Sequence, residues 1–131
     1  MRETVFDPLR RKRVALTPEE AVRQYFIEWL HKERNYPLTL MTSEYSIKLN
    51  KMTYRCDLVA FNKALEPQLI VECKAPDIPL TKEVMEQIMR YNRVLRVKNL
   101  IITNGVTTFA CELNSATGKY EFVADIPFYK I

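Results

Sequence analysis

Hydrophobic positions along this chain repeat with two different periods, and the switches between them mark out its elements. From Pro18 to about Arg34 the apolar residues Val22, Tyr25, Phe26, Trp29 and Leu30 fall three and four apart, which predicts a helix with one apolar face. Thr17-Pro18-Glu19-Glu20 reads as its start, with a hydroxyl N-cap, proline in the first turn and glutamate three residues on. Asn35-Tyr36-Pro37 ends it. The stretch from Leu40 to Leu49 has strand composition, and Cys56 to Phe61 and Gln68 to Lys74 are two further strands joined by a polar turn over 62–67. A second helix starts near Thr81 and carries Val84, Ile88, Tyr91 and Leu95 as its apolar stripe. Asn99 to Thr103 and Val106 to Leu113 flank Asn104-Gly105, a type I′ hairpin signal, and a last strand runs from Tyr120 to Ile126. The order is α-β-β-β-α-β-β-β. A helical crossover between the third and fourth strands predicts that these two run parallel and the rest antiparallel, an α/β (α+β) domain with a mixed sheet.

Composition narrows the chemistry. The chain of 131 residues suits one domain over 1–131, led by a basic N-terminal arm over 1–16. Its charge of +4 permits contact with phosphates without demanding it. Arg10, Arg11, Lys12 and Arg13 form the densest basic cluster, and a solvated arm explains them as well as a phosphate grip does. Cys56, Cys73 and Cys111 fall in apolar runs without CxxC spacing, the pattern of buried thiols in a reducing compartment. Together with the lack of a signal peptide or membrane-length span, this predicts a cytoplasmic protein that does not enter membranes. A single histidine, His31, excludes multi-histidine metal sites, and two glycines, Gly105 and Gly118, exclude a P-loop or a dinucleotide-binding turn. Carboxylates and lysines remain.

The third predicted strand, Gln68-Leu69-Ile70-Val71-Glu72-Cys73-Lys74, ends on two charges. Residues two apart on a strand share a face, so Glu72 and Lys74 project together. Asp57 interrupts the apolar run one strand earlier, and a hairpin about 62–67 brings it opposite Glu72 or close to it. Two carboxylates and an ammonium in one place suit phosphodiester hydrolysis. Asp57 and Glu72, with the main-chain carbonyl of Cys73, are candidate ligands for Mg²⁺ (or Mn²⁺), and Lys74 would orient or deprotonate the attacking water. The bland alternative is a salt-bridged pair at a strand end, which would account for an isolated ExK.

Asp57, followed after fourteen residues by Glu72-Cys73-Lys74, resembles the PD-(D/E)XK nuclease superfamily with its restriction-endonuclease-like αβββαβ core. More narrowly, the chain resembles the N-terminal nuclease domain of type I restriction enzyme R subunits. Leu16-Thr17-Pro18-Glu19-Glu20-Ala21-Val22-Arg23-Gln24, Val71-Glu72-Cys73-Lys74-Ala75-Pro76, Gln87-Ile88-Met89-Arg90-Tyr91 and Thr103-Asn104-Gly105 carry the likeness, from about Asp7 to Leu113. Cys56 stands where the superfamily name has proline. The R-subunit helicase motor is absent, so a translocase or specificity subunit would be supplied separately. The resemblance implies a Mg²⁺-dependent DNA endonuclease in restriction, defence or repair. The alternative is a catalytically inactive nucleic-acid-binding or scaffold module of a larger complex. It implies a site role for Gln87, with Tyr91 read as core, its hydroxyl within reach of the site, and leaves room for a homodimer. It also implies an acidic residue on the first helix. Glu19, roughly 60° from the centre of the apolar face, is favoured over Glu20 at about 160°, which the N-cap already explains. Lys48, Lys51 and Arg55 are candidate DNA contacts, and Tyr36, Tyr45 and Tyr54 are candidates for stacking on bases, although strand tyrosines more often pack.

Overall fold

The computed structural model describes residues 3–130. Helices α1 (Pro18–Arg34) and α2 (Lys82–Arg93) cover opposite faces of a six-stranded sheet. Its strands are β3 (Met41–Leu49), β4 (Met52–Phe61), β5 (Pro67–Cys73), β6 (Asn99–Thr103), β7 (Thr108–Asn114) and β8 (Lys119–Val123). They lie in sequence order across the sheet, antiparallel throughout except for the parallel pair β5–β6. That single parallel contact follows from the α2 crossover, as the order of elements requires. No helix among the described residues is long and apolar enough to cross a membrane.

The central strands are apolar on both faces because both faces are covered. Val22, Phe26, Ile27 and Leu30 of α1 pack on Leu58, Leu69, Val71 and Ile101. On the other side Met85 and Ile88 of α2 pack on Val59, Ile70, Leu100 and Ile102. Each such side chain contributes about 1.5–3 kcal/mol on full burial. Thr17 caps α1 by accepting the Glu20 N–H at 3.1 Å, and Asn35 closes it in the left-handed conformation, φ +64°. Thr81 caps α2 in the same manner, accepting from the Val84 N–H at 3.2 Å.

Four local expectations differ from the fold. Residues 4–15 are not a bare arm: β1 (Thr4–Asp7) and β2 (Lys12–Ala15) pair as a separate hairpin. The buried stripe of α2 is Met85, Ile88 and Asn92, not Val84, Ile88 and Tyr91, and the helix ends before Leu95. The Asn92 amide reaches the Ile88 carbonyl at 2.9 Å, so a polar residue replaces the apolar one the periodicity asked for. Asn104-Gly105 opens a longer loop, in which the Asn104 carboxamide oxygen accepts from the N–H groups of Val106 and Thr107 at 2.9 and 2.8 Å. The two-residue turn with positive φ at both positions occurs instead at Asn50-Lys51 (φ +51° and +66°), joining β3 to β4 without glycine. Finally, β8 stops at Val123. Beyond it the chain follows α1, and the Arg34 side chain donates to the Ile126 carbonyl at 2.8 Å.

Candidate active site

The β4–β5 ladder pairs Leu58 with Val71 and goes no further, so Asp57 stands one step beyond it, abreast of Glu72. There the strands separate and a side chain takes over the role of the backbone. Asp57 Oδ2 accepts the Cys73 N–H at 2.7 Å, the donor a continued ladder would have used. The ladder on the other flank of β4 is interrupted at the same level. Ser43 pairs with Leu58 and Tyr45 with Cys56, but Glu44, opposite Asp57, sits in the left-handed region at φ +53°. Into that gap Arg23 of α1 donates from Nη1 to the Asp57 carbonyl at 3.1 Å. Asp57 is therefore gripped through its main chain by α1 and through its carboxylate by β5.

Glu72 projects beside it, within hydrogen-bond reach of the Asp57 carboxyl. Burial pushes the Glu72 carboxyl up, and the Asp57 charge pushes it further, to about 8. The Lys74 ammonium works against this but lies 3.9 Å away and is itself partly in solvent, so it neutralises little. Glu19, exposed on the first turn of α1, adds a smaller push in the same direction and so faces the same cluster. The pair is short of positive charge.

An open cleft of about 380 Å³ adjoins it, lined by Glu72, Lys74, Arg55, Ile78 and the flank of α2 that carries Val84, Gln87 and Tyr91. The rotation of α2 that buries Met85 and Asn92 turns this flank to the cleft. Gln87 is exposed there. Tyr91 is no core residue: it is 42% exposed, its ring meets Tyr54 at 5.2 Å, and its hydroxyl accepts the Arg55 N–H at 3.3 Å.

The remaining predicted residues divide. Lys48 and Lys51 are exposed on the β3–β4 hairpin, and Arg55 lies where that hairpin borders the cleft. In the basic cluster, Arg11 and Lys12 are exposed, but Arg13 is held by the Thr4 hydroxyl and carbonyl at 2.8 and 2.9 Å. Arg10 is turned inward onto Asp7 and Glu20 and is not available as a phosphate contact. Glu20, read from the sequence as explained by the N-cap with Thr17, is buried beneath these groups. Tyr36 is core, with its hydroxyl on the Pro127 carbonyl at 2.9 Å, and Tyr45 packs edge-on against Phe61. All three thiols are buried, and burial raises each above its ordinary range. Arg23 and Glu44 were not singled out by the sequence. The i, i+3 spacing of Glu20 and Arg23 was the available signal for the first.

Among the described residues no three or more His, Cys, Asp or Glu side chains converge closely enough to hold a metal ion. The two carboxylates form an oxygen pair that suits Mg²⁺, which keeps several of its waters, better than it suits zinc. The donor chemistry fits a hard divalent cation at Asp57 and Glu72.

No curated protein matches the chain. A fragment of a chain described as an HsdR subunit of a type I restriction enzyme from Vibrio vulnificus shares its fold, with a TM-score of 0.57 at 21% identity. The likeness covers 86% of this chain and 24% of that one, so the present chain spans about a quarter of its structural relative. Residues 18–127, nearly the whole of the described domain, match the family described as the type I restriction enzyme R protein N terminus, and the chain belongs to that family.

Proposed function

We propose that this domain is a Mg²⁺-dependent DNA endonuclease of the PD-(D/E)XK type, working in restriction. The observation that carries the reading is a half-buried carboxylate pair, Asp57 and Glu72, with Glu72 raised to about 8, beside an open cleft with Lys74 at its edge. Lys74 is 3.9 Å from Glu72 and partly in solvent, and Arg23 meets Asp57 at its main-chain carbonyl, so the cations nearby compensate the pair only in part. A bound divalent cation would supply Lewis acidity toward a phosphate oxygen and a lowered pKa for water. Asp57, Glu72 and the Cys73 carbonyl hold it. Lys74 sets a positive charge beside the nucleophile and the transition state. Gln87 orients groups across the cleft, and Glu19 contributes from the first turn of α1. Arg55 and Lys51, with Arg11 and Lys12 as outlying contacts, neutralise phosphates along the strand being cut. A translocase or specificity subunit, supplied separately, acts with the domain.

Cleavage of supercoiled, linear, single-stranded and branched DNA with Mg²⁺ or Mn²⁺ tests this, with Glu72→Ala and Lys74→Ala run alongside. Cutting by wild type alone supports the reading, and equal cutting by Glu72→Ala overturns it. Among the described residues no three His, Cys, Asp or Glu side chains converge, which favours a second reading, an inactive binding or scaffold module. Such a module would show no Mn²⁺ binding that depends on Asp57.

A further inference from the structure

Behind the carboxylate pair lies a second charged cluster that the proposed chemistry leaves unused. Arg23 is only 7% exposed, and its guanidinium forms a fork on Glu20, Nε to Oε2 and Nη2 to Oε1, both 3.1 Å. The nitrogen left over, Nη1, is the one that reaches the Asp57 carbonyl. Glu20 is fixed in turn by Arg10 Nη2 at 2.8 Å and by the Gln24 amide at 3.0 Å. Arg10 continues to Asp7, which is fully buried at the end of β1 and also accepts the Leu9 N–H at 2.8 Å. Glu44 approaches both arginines, at 3.6 and 3.8 Å, from the strand position opposite Asp57.

We propose that Arg23 is a positioning residue that aims the Asp57 carboxylate, and that the β1–β2 hairpin belongs to the active-site scaffold through Arg10 and Glu20. Both ladders of β4 lapse at Asp57, so no strand partner fixes its peptide plane. The Arg23 hydrogen bond supplies that constraint, and the forked grip of Glu20 gives the guanidinium one orientation. With the carbonyl turned toward α1, the side chain is presented to the Cys73 N–H and to Glu72. Lysine at 23 would keep the charge but cannot engage both carboxylate oxygens and the carbonyl in this planar geometry.

The inference rests on the reading of Asp57 as a ligand, but its primary test does not. Amide hydrogen exchange in the domain without metal reports the Asp57–Cys73 bond directly. In Arg23→Lys the Cys73 amide should exchange about ten-fold faster, the scale of one hydrogen bond to a charged group, while the Leu100 and Ile101 amides keep their protection. Mn²⁺ affinity should fall by a similar factor, and in any cleavage assay kcat should drop with KM for DNA unchanged. Glu20→Gln, nearly isosteric, is the second variant should the first fail to fold, and it should show the same local loss to a smaller degree. Unchanged Cys73 protection in a folded variant overturns the proposal. Should the wild type bind no Mn²⁺, the nuclease reading falls while exchange at Cys73 still decides this one.

Discussion

The molecule contains two acidic clusters joined through Arg23, one buried and one half-buried, and it treats them in opposite ways. Around Asp7 and Glu20, burial alone would raise both carboxyls. Hydrogen bonds from Arg10 outweigh it for both, joined by the Leu9 N–H at Asp7 and by Gln24 and the Arg23 charge at Glu20, so both sit below their ordinary range. Around Asp57 and Glu72 the Lys74 ammonium stays 3.9 Å from Glu72 and Arg23 meets Asp57 at its main-chain carbonyl, and burial with the Asp57 charge leaves Glu72 raised to about 8. One cluster carries its own counter-charge at hydrogen-bond distance, and the other is compensated only in part. On the function proposed above, that difference marks Asp57 and Glu72 as the working pair, and depth of burial does not, since Asp7 and Glu20 are the more buried side chains.

The most drastic way to break this comparison is to remove Glu72. Glu72→Ala should lower the cleavage rate by about 10³-fold or more, measured on supercoiled DNA, yet leave the metal-free domain at least as stable at pH 8. Glu20→Ala should do the reverse to stability. Removing one partner of a buried ion pair costs about 3–5 kcal/mol, which urea unfolding would register as a large fall in midpoint. The pH dependences should also oppose each other. Glu72 is raised in the folded state, so the metal-free domain should lose stability as pH climbs from about 4.5 to about 8, on the order of 1–2 kcal/mol after screening. Glu72→Gln should flatten that slope, and Mg²⁺ should offset it. Glu20 is lowered, so its contribution is complete above about 4.5 and is lost only as pH falls below that value. Thermal melts at pH 3.5, 5 and 8 distinguish the two. The smallest effect is expected at Lys51. Lys51→Gln should weaken DNA binding equally for all sequences and reduce the salt slope by about one.

The sheet and its crossover were readable because they rest on long apolar runs and one turn of known length. The carboxylate pair was readable for a related reason: charges inside such runs are anomalies visible without coordinates. The scaffold behind them was not. Strands β1 and β2 have four residues each, with charges at Asp7, Lys12 and Arg13, too short for any alternation to stand out. A helical wheel puts Glu20 about 160° from the apolar face of α1, and it counts only that face and cannot see a hairpin laid across the other side. Tyr91 was misassigned for the converse reason. Asn92 bonds to its own helix and takes the buried place, leaving the aromatic residue to the cleft. Asn50-Lys51 adopts the turn that Asn104-Gly105 advertised, since strand register and side-chain hydrogen bonds decide between candidate turns.

The sequential strand order has a further consequence for how the domain assembles. Strands β3 to β5 form one meander and β6 to β8 another, each held by contacts between near neighbours in the chain. Only the β5–β6 junction closes over a long intervening segment, the slow kind of contact to form. Asp57 and Glu72 both belong to the first meander, across a local hairpin, whereas Gln87 and Tyr91 arrive with the helix that joins the halves. The acids are thus brought together by the fast, short-range part of the topology. The cleft that would admit a substrate exists only once α2 has packed beside that meander.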